Sequence, residues 1–190
     1  MATDVGNKGT GFYAEVFNNP TNIASGNYSH AEGLHTQATD HCAHAEGREV
    51  VASGLASHAE GGFSTAHGSY AHAEGTNTQA TGNASHAEGN GAHAQGEHSH
   101  AEGLSCCAEG EFSHAEGELS HAAGAAAHAE GGHSKAEGLY SHAEGSHTWA
   151  AGRSQHVEGE YNLIDEREAS LPLESDQNSS EVLGNFPQYD

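Results

Sequence analysis

A histidine recurs every fourteen residues through most of the chain: His30, His44, His58, His72, His86, His100, His114, His128, His142 and His156. Two residues after each stands a glutamate: Glu32, Glu46, Glu60, Glu74, Glu88, Glu102, Glu116, Glu130, Glu144 and Glu158. A glycine follows every one, and Ala separates His from Glu in nine of ten copies, with Val157 as the exception. Midway between these motifs runs a weaker one, x-Ala-x-Gly, as in Val51-Ala-Ser-Gly54 and Gln79-Ala-Thr-Gly82. Its Ala is present in all nine copies and its Gly in eight, Asp40 being the exception. Asp tolerates left-handed backbone better than most residues, so the exception predicts a turn there. So strict a period leaves few architectures open.

Seven residues suit a short strand and a tight turn. A glycine every seven residues would cost a helix about 1 kcal/mol each, and no apolar stripe exists for a coiled coil. The expectation is an all-β parallel solenoid, or β-roll, with fourteen-residue rungs of two short strands each. Ten rungs at about 4.8 Å give a rod about 48 Å long. Calcium-binding nonapeptide solenoids need a Gly-Gly-x-Gly-x-Asp pattern that is absent, and hexapeptide solenoids have the wrong period. Thr36, Thr78 and Thr148 are too sparse for a threonine ladder of the ice-binding kind.

Alternation assigns the faces. In Ser-His-Ala-Glu-Gly, the small Ser, Ala and Gly share the inside, and His and Glu point outward. On the intervening strand the outward residues vary, from Gln37, Val51 and Thr65 to Lys135 and Trp149. Water accepts such variety. A face that never varies calls for a uniform partner, and the simplest is the same face of another copy of the chain.

Twenty-seven Asp and Glu against five Lys and Arg give a formal charge of −22 with His neutral. That excludes nucleic acid as a partner, since phosphate binding needs a basic surface. No apolar run approaches the ~20 residues of a membrane helix, so no membrane insertion is expected. The start, Met-Ala-Thr-Asp-Val-Gly, does not read as a signal peptide. Cys42, Cys106 and Cys107 form no disulfide framework.

Residues 20–159 resemble the YadA-like head repeat of trimeric adhesins, where the corresponding strand reads Ser-Val-Ala-Ile-Gly; here His replaces the Val and Glu the Ile. The chain is more similar still to SHAEG-repeat proteins of phages and prophages of Gram-positive bacteria. The lead-in Phe17-Asn-Asn-Pro-Thr-Asn-Ile-Ala-Ser-Gly-Asn-Tyr-Ser-His-Ala-Glu-Gly33 and the exit Gln155-His-Val-Glu-Gly-Glu-Tyr-Asn162 resemble theirs. The resemblance implies a left-handed roll, a homotrimer, and a tail, fibre or appendage component of a virion. Such a part is made in the cytoplasm without a signal peptide and is extracellular after lysis. Its other partners would be virion proteins or a host-surface glycan or protein. In those phage proteins the exit often leads into an autoproteolytic chaperone domain, and none is expected in the thirty residues after Glu160.

Ionised glutamates stacked about 4.8 Å apart repel by about 1 kcal/mol per neighbour in water. A parallel column of protonated histidines would cancel that, so the ten His–Glu pairs are expected to form a ladder within and between chains, with His pKa values raised, the plain alternative being a solvated charged face. The alternative is a metal- or proton-responsive trimeric binding module. His and Glu ligate Zn, Ni or Fe, and His98-Ser-His100 is a candidate metal pair. No cofactor is required by the pattern. No enzyme is expected, since Ser, His and acidic residues are everywhere and single out no triad. Cys106-Cys107, near His93 and His121, reads as a core residue beside a surface thiol rather than a reactive pair. Trp149 and the turn aromatics Tyr28, Tyr70, Phe112 and Tyr140 are the best exposed binding candidates.

Three segments result: an N-terminal segment and cap over 1–22, the roll over 23–159, and a C-terminal cap with an acidic tail over 160–190. Residues 11–22 supply the first cap through Phe12, Tyr13, Val16 and Phe17. Tyr161, Leu163 and Ile164 are expected to close the other end. Residues 170–180 read as flexible, and Phe186 and Tyr189 as a docking element.

Overall fold

The computed structural model describes residues 9–17, 20–162 and 181–183. Among these, every regular element is a β-strand. Five-residue strands carrying the His-Ala-Glu-Gly motif, from His30–Leu34 to His156–Glu160, alternate with two-residue strands, from Ile23–Ala24 to Trp149–Ala150. The long strands form a twelve-stranded sheet, completed by Glu15–Phe17 at one edge and Glu181–Leu183 at the other. The short strands form a second sheet of ten. Every pairing is parallel and in register with the repeat, so that His86 lies between His72 and His100, and Glu88 between Glu74 and Glu102. The chain is the parallel β-solenoid that the fourteen-residue period predicts, with two strands per rung.

The core is made almost wholly of alanine. The motif alanines Ala31, Ala45, Ala59 and Ala73 and the half-repeat alanines Ala38, Ala52, Ala66 and Ala80 are fully buried. Side chains this small let the two sheets lie close together. The serines at the remaining inward positions donate to carbonyls. Ser29, Ser85 and Ser141 donate to the carbonyl three residues earlier, at 2.7 Å. Ser64, Ser120 and Ser134 donate to a motif glycine of the next rung at 2.9–3.1 Å. The column of Ser64 also contains Thr36, Thr78 and Thr148, which lie inside the roll rather than on its surface.

The motif glycines are fixed by two constraints at once. Gly103 has φ +108°, and a Cβ on it would stand 2.2 Å from the carbonyl oxygen of Gly117. The half-repeat glycines meet a similar obstacle without left-handed backbone: a Cβ on Gly54 would lie 2.0 Å from the oxygen of Gly68. The left-handed turn expected of Asp40 is therefore corrected. Neither it nor the glycines of its column has positive φ. Asp40 instead accepts the His41 N–H at 2.6 Å, a bond that holds its carboxyl below the usual range.

Left-handed residues do occur, two places later. Every seventh residue from Tyr28 to Tyr161 has positive φ, and all but Gly91 carry a side chain. Each bears conformational strain that glycine would avoid, Asn77 the least. A backbone bond to the preceding rung holds them: Ala84 N–H donates to Ser69 O at 2.8 Å, and Tyr70 N–H to Leu55 O at 2.7 Å.

At each end a further strand pairs with the long-strand sheet. Glu15–Phe17 pairs with His30–Glu32 and sets Val16 beside Ala31, and Phe17 stacks on His30 with ring centroids 5.2 Å apart. Asn22, buried, donates to Phe17 O and Gly33 O and accepts the Thr36 N–H. At the far end Glu181–Leu183 pairs in parallel with His156–Glu158. Leu163 and Ile164, residues 170–180, Phe186 and Tyr189 lie outside the described residues.

Candidate functional site: the histidine and glutamate columns

Because the buried alanine separates them on an extended strand, His and Glu of each motif project to the same outer face. Parallel pairing in register then stacks like on like. From His44 to His156 the imidazole centroids of successive rungs are 4.6–4.8 Å apart and their planes within 10° of parallel. His30 breaks the pattern, meeting His44 edge-on at 82°.

Most rings lean towards the glutamate of their own strand. Nε2 lies 3.4 Å from Glu88 Oε2 at His86, 3.5 Å from Glu32 Oε2 at His30, and 3.7–4.0 Å from the carboxylate at His44, His58, His72, His114 and His128. Most of these are contacts rather than hydrogen bonds. The Nε2 atoms of His58, His72, His86, His100, His114, His128 and His142 are sealed from solvent and have no hydrogen-bond partner. About a third of the His86 side chain remains exposed, at 36%. The exposed part of the ring therefore lies away from Nε2.

The sign of the histidine titration is the opposite of the expectation. Partial burial, followed by the charge of neighbouring rings in the stack, holds His44, His58, His86, His100, His114, His128 and His142 below the usual histidine value. The glutamates push the other way, with less effect. Protonating one ring 4.8 Å from the next places like charges face to face, and desolvation opposes the charged form. At neutral pH these rings are thus neutral imidazoles, able to donate Nε2–H to a carboxylate, rather than imidazolium ions.

The same geometry offers metal ligands. Ligand atoms of His44, Glu46 and His58, of His72, Glu74 and His86, and of His86, Glu88 and His100 lie within 4.8 Å of one another. His98 and His100, paired in sequence, are placed differently. His98 is a left-handed turn residue stacked on Phe112 at 5.1 Å, whereas His100 stands in the column between His86 and His114.

The other sheet is varied, as its sequence implies, with one chemical concentration. Cys107, Glu109 and His121 converge there: His121 Nε2 is 3.2 Å from Glu109 Oε1, and the Cys107 thiol reaches the same oxygen at 3.7 Å. Burial, then the Glu109 carboxylate, pushes the Cys107 thiol up to about 11. Cys106 faces the core and donates its thiol to Gly117 O at 3.2 Å. Sequence reasoning brings His121 near Cys107 but misses Glu109. The signal exists: residues i, i+2 and i+14 share a face on this sheet as they do on the His/Glu sheet. Tyr28, Tyr70, Phe112, Tyr140 and Trp149 are all exposed.

Comparison of the chain with protein-family models and with curated proteins gives no match.

Proposed function

We propose that the chain is a rigid structural rod whose His/Glu face joins three copies into a homotrimer, serving as a tail, fibre or appendage part of a phage virion. One observation carries the self-association: ten His–Glu pairs repeat without variation and in register along one face, while the other face varies rung by rung. The half-exposed carboxylates and the exposed ring edges are what this face offers a second copy, and packing them against a matching face would take the same contact at every rung. The count of three, the virion setting and extracellular release after lysis rest on the resemblance to SHAEG and YadA-like repeats. Exposed Tyr70, Phe112, Tyr140 and Trp149 would then face a host-surface glycan or protein.

A second reading has its own support. The recurrent His–Glu–His groupings and the lowered histidine values suit a metal- or proton-responsive binding module using Zn, Ni or Fe.

Sedimentation of two variants distinguishes an interface from a solvated face. One replaces His72, Glu74, His86, Glu88, His100 and Glu102 with Ser; the other replaces Gln79, Thr81, Gln95 and Lys135 with Ser. The first should fall to one chain's mass while remaining folded, and the second should keep the wild-type mass. Equal behaviour of the two would contradict the assignment of the interface to the His/Glu columns.

A further inference from the structure

The outward positions of the short-strand sheet change residue from rung to rung, yet three consecutive rungs place His93, Cys107 and His121 in one column. Glu109, two residues after Cys107, stands beside them on the same face. Three different ligand types thus meet on a surface otherwise built of mixed polar and apolar residues.

We propose that Cys107, Glu109 and His121 form a discrete site for one zinc-like divalent transition-metal ion, separate from the His/Glu columns. Two of the three ligand separations are close to those of a tetrahedron's edges. Zinc–nitrogen and zinc–oxygen bonds of about 2.0 Å and a zinc–sulfur bond of about 2.3 Å place tetrahedral ligands about 3.3–3.5 Å apart. His121 Nε2 and Glu109 Oε1 are 3.2 Å apart, Cys107 Sγ and Glu109 Oε1 are 3.7 Å apart, and all three ligand atoms lie within 4.8 Å of one another. Despite its approach to Glu109, His121 Nε2 is buried and satisfied by no hydrogen bond. An ion would use that nitrogen's lone pair and neutralise the carboxylate, and the thiol would release its proton to solvent on ligation.

The His/Glu columns are less suited to a tight single ion. Their rings are stacked in parallel, with planes 2–4° apart at His72, His86 and His100, so their nitrogen lone pairs run side by side rather than converging. They also lack sulfur, the ligand that favours zinc over harder ions. At the proposed site Gln95, from the preceding rung, donates to Cys107 Sγ at 3.6 Å and holds the sulfur from the side away from His121. Water completes the coordination. Since Cys107 and Glu109 belong to one rung and His121 to the next, the ion would clip two rungs together.

The test is titration of the full chain, reduced and stripped with EDTA, with cobalt(II) and then zinc(II). One cobalt per chain should produce a thiolate-to-cobalt charge-transfer absorption, which zinc abolishes. Cys107→Ser should remove the band. The change is structurally mild, since the same column elsewhere accepts Gln37, Thr65 and Lys135, and circular dichroism with a thermal melt checks the fold. Cys42→Ser should leave the band intact, and His121→Ala, which removes a direct ligand, should weaken cobalt binding. Ions held by the His/Glu columns give no sulfur band, so they do not imitate the result. No band in the wild type, a band that persists in Cys107→Ser, or one lost in Cys42→Ser would overturn the proposal.

Discussion

Residues that look interchangeable in the sequence are held by different physical demands. The motif glycine is required by positive φ and by the carbonyl of the next rung together. Gly103→Ala should therefore destabilise the roll by about 2–5 kcal/mol, from backbone strain plus steric conflict. Gly132→Ala should be nearly neutral, because open space surrounds that position and its φ is not positive. Thermal melts of the two variants check the contrast. The left-handed turn residues give the opposite case. Ala84, with φ 51° and an exposed methyl group, gains little from its side chain. Ala84→Gly should raise stability by about 0.5–1 kcal/mol, since the strain removed exceeds the entropy glycine adds to the unfolded chain. An unchanged or lower melting temperature would show that the strain relieved is no larger than the entropy glycine adds to the unfolded chain. These left-handed positions are not legible in the sequence, because they are filled by Tyr, His, Cys, Glu, Ala, Phe, Leu and Ser alike. Glycine marks the tight contacts between rungs, and the turn's left-handed residue is dictated by the stacking of rungs rather than by local preference.

At the scale of strands and columns, much is legible. Period two along Ser-His-Ala-Glu-Gly places Ala31 inside and His30 and Glu32 outside, because alternation on a strand leaves no other choice. The titration of the columns is not, since the glutamates are visible in the sequence and the burial and parallel stacking of the rings are not. The consequence is measurable. Histidines whose folded values lie below the unfolded value, near 6.5, bind fewer protons when folded. Their contribution to stability is present above about pH 6.5 and is lost as pH falls through the folded values. The melting temperature should therefore drop between pH 7 and pH 5, with Asp40 adding in the same direction at lower pH. A melting temperature that holds or rises on acidification would mean that imidazolium–glutamate pairing dominates the face. The chain ends are less legible: Phe12 and Tyr13 stand exposed, the first rung pairs instead with the strand Glu15–Phe17, and nothing in Glu181–Leu183 announces a strand that pairs with the last rung.

The whole molecule is a rod with two unlike long faces. One repeats His and Glu without change and carries a line of carboxylates beside stacked rings; the other varies and holds the Cys107 cluster. A formal charge of −22 keeps separate rods apart at long range, so association has to come from close contacts that repeat along the full face. In the proposed trimer, ten nearly identical rungs would supply such contacts, each small and all in register. The central claim is that this face joins chains without metal. Light scattering at pH 7 after EDTA treatment tests it most directly. The account predicts a mass three times that of the 19.5 kDa chain; a single-chain mass would contradict it, and its restoration by zinc or nickel would assign the association to metal instead.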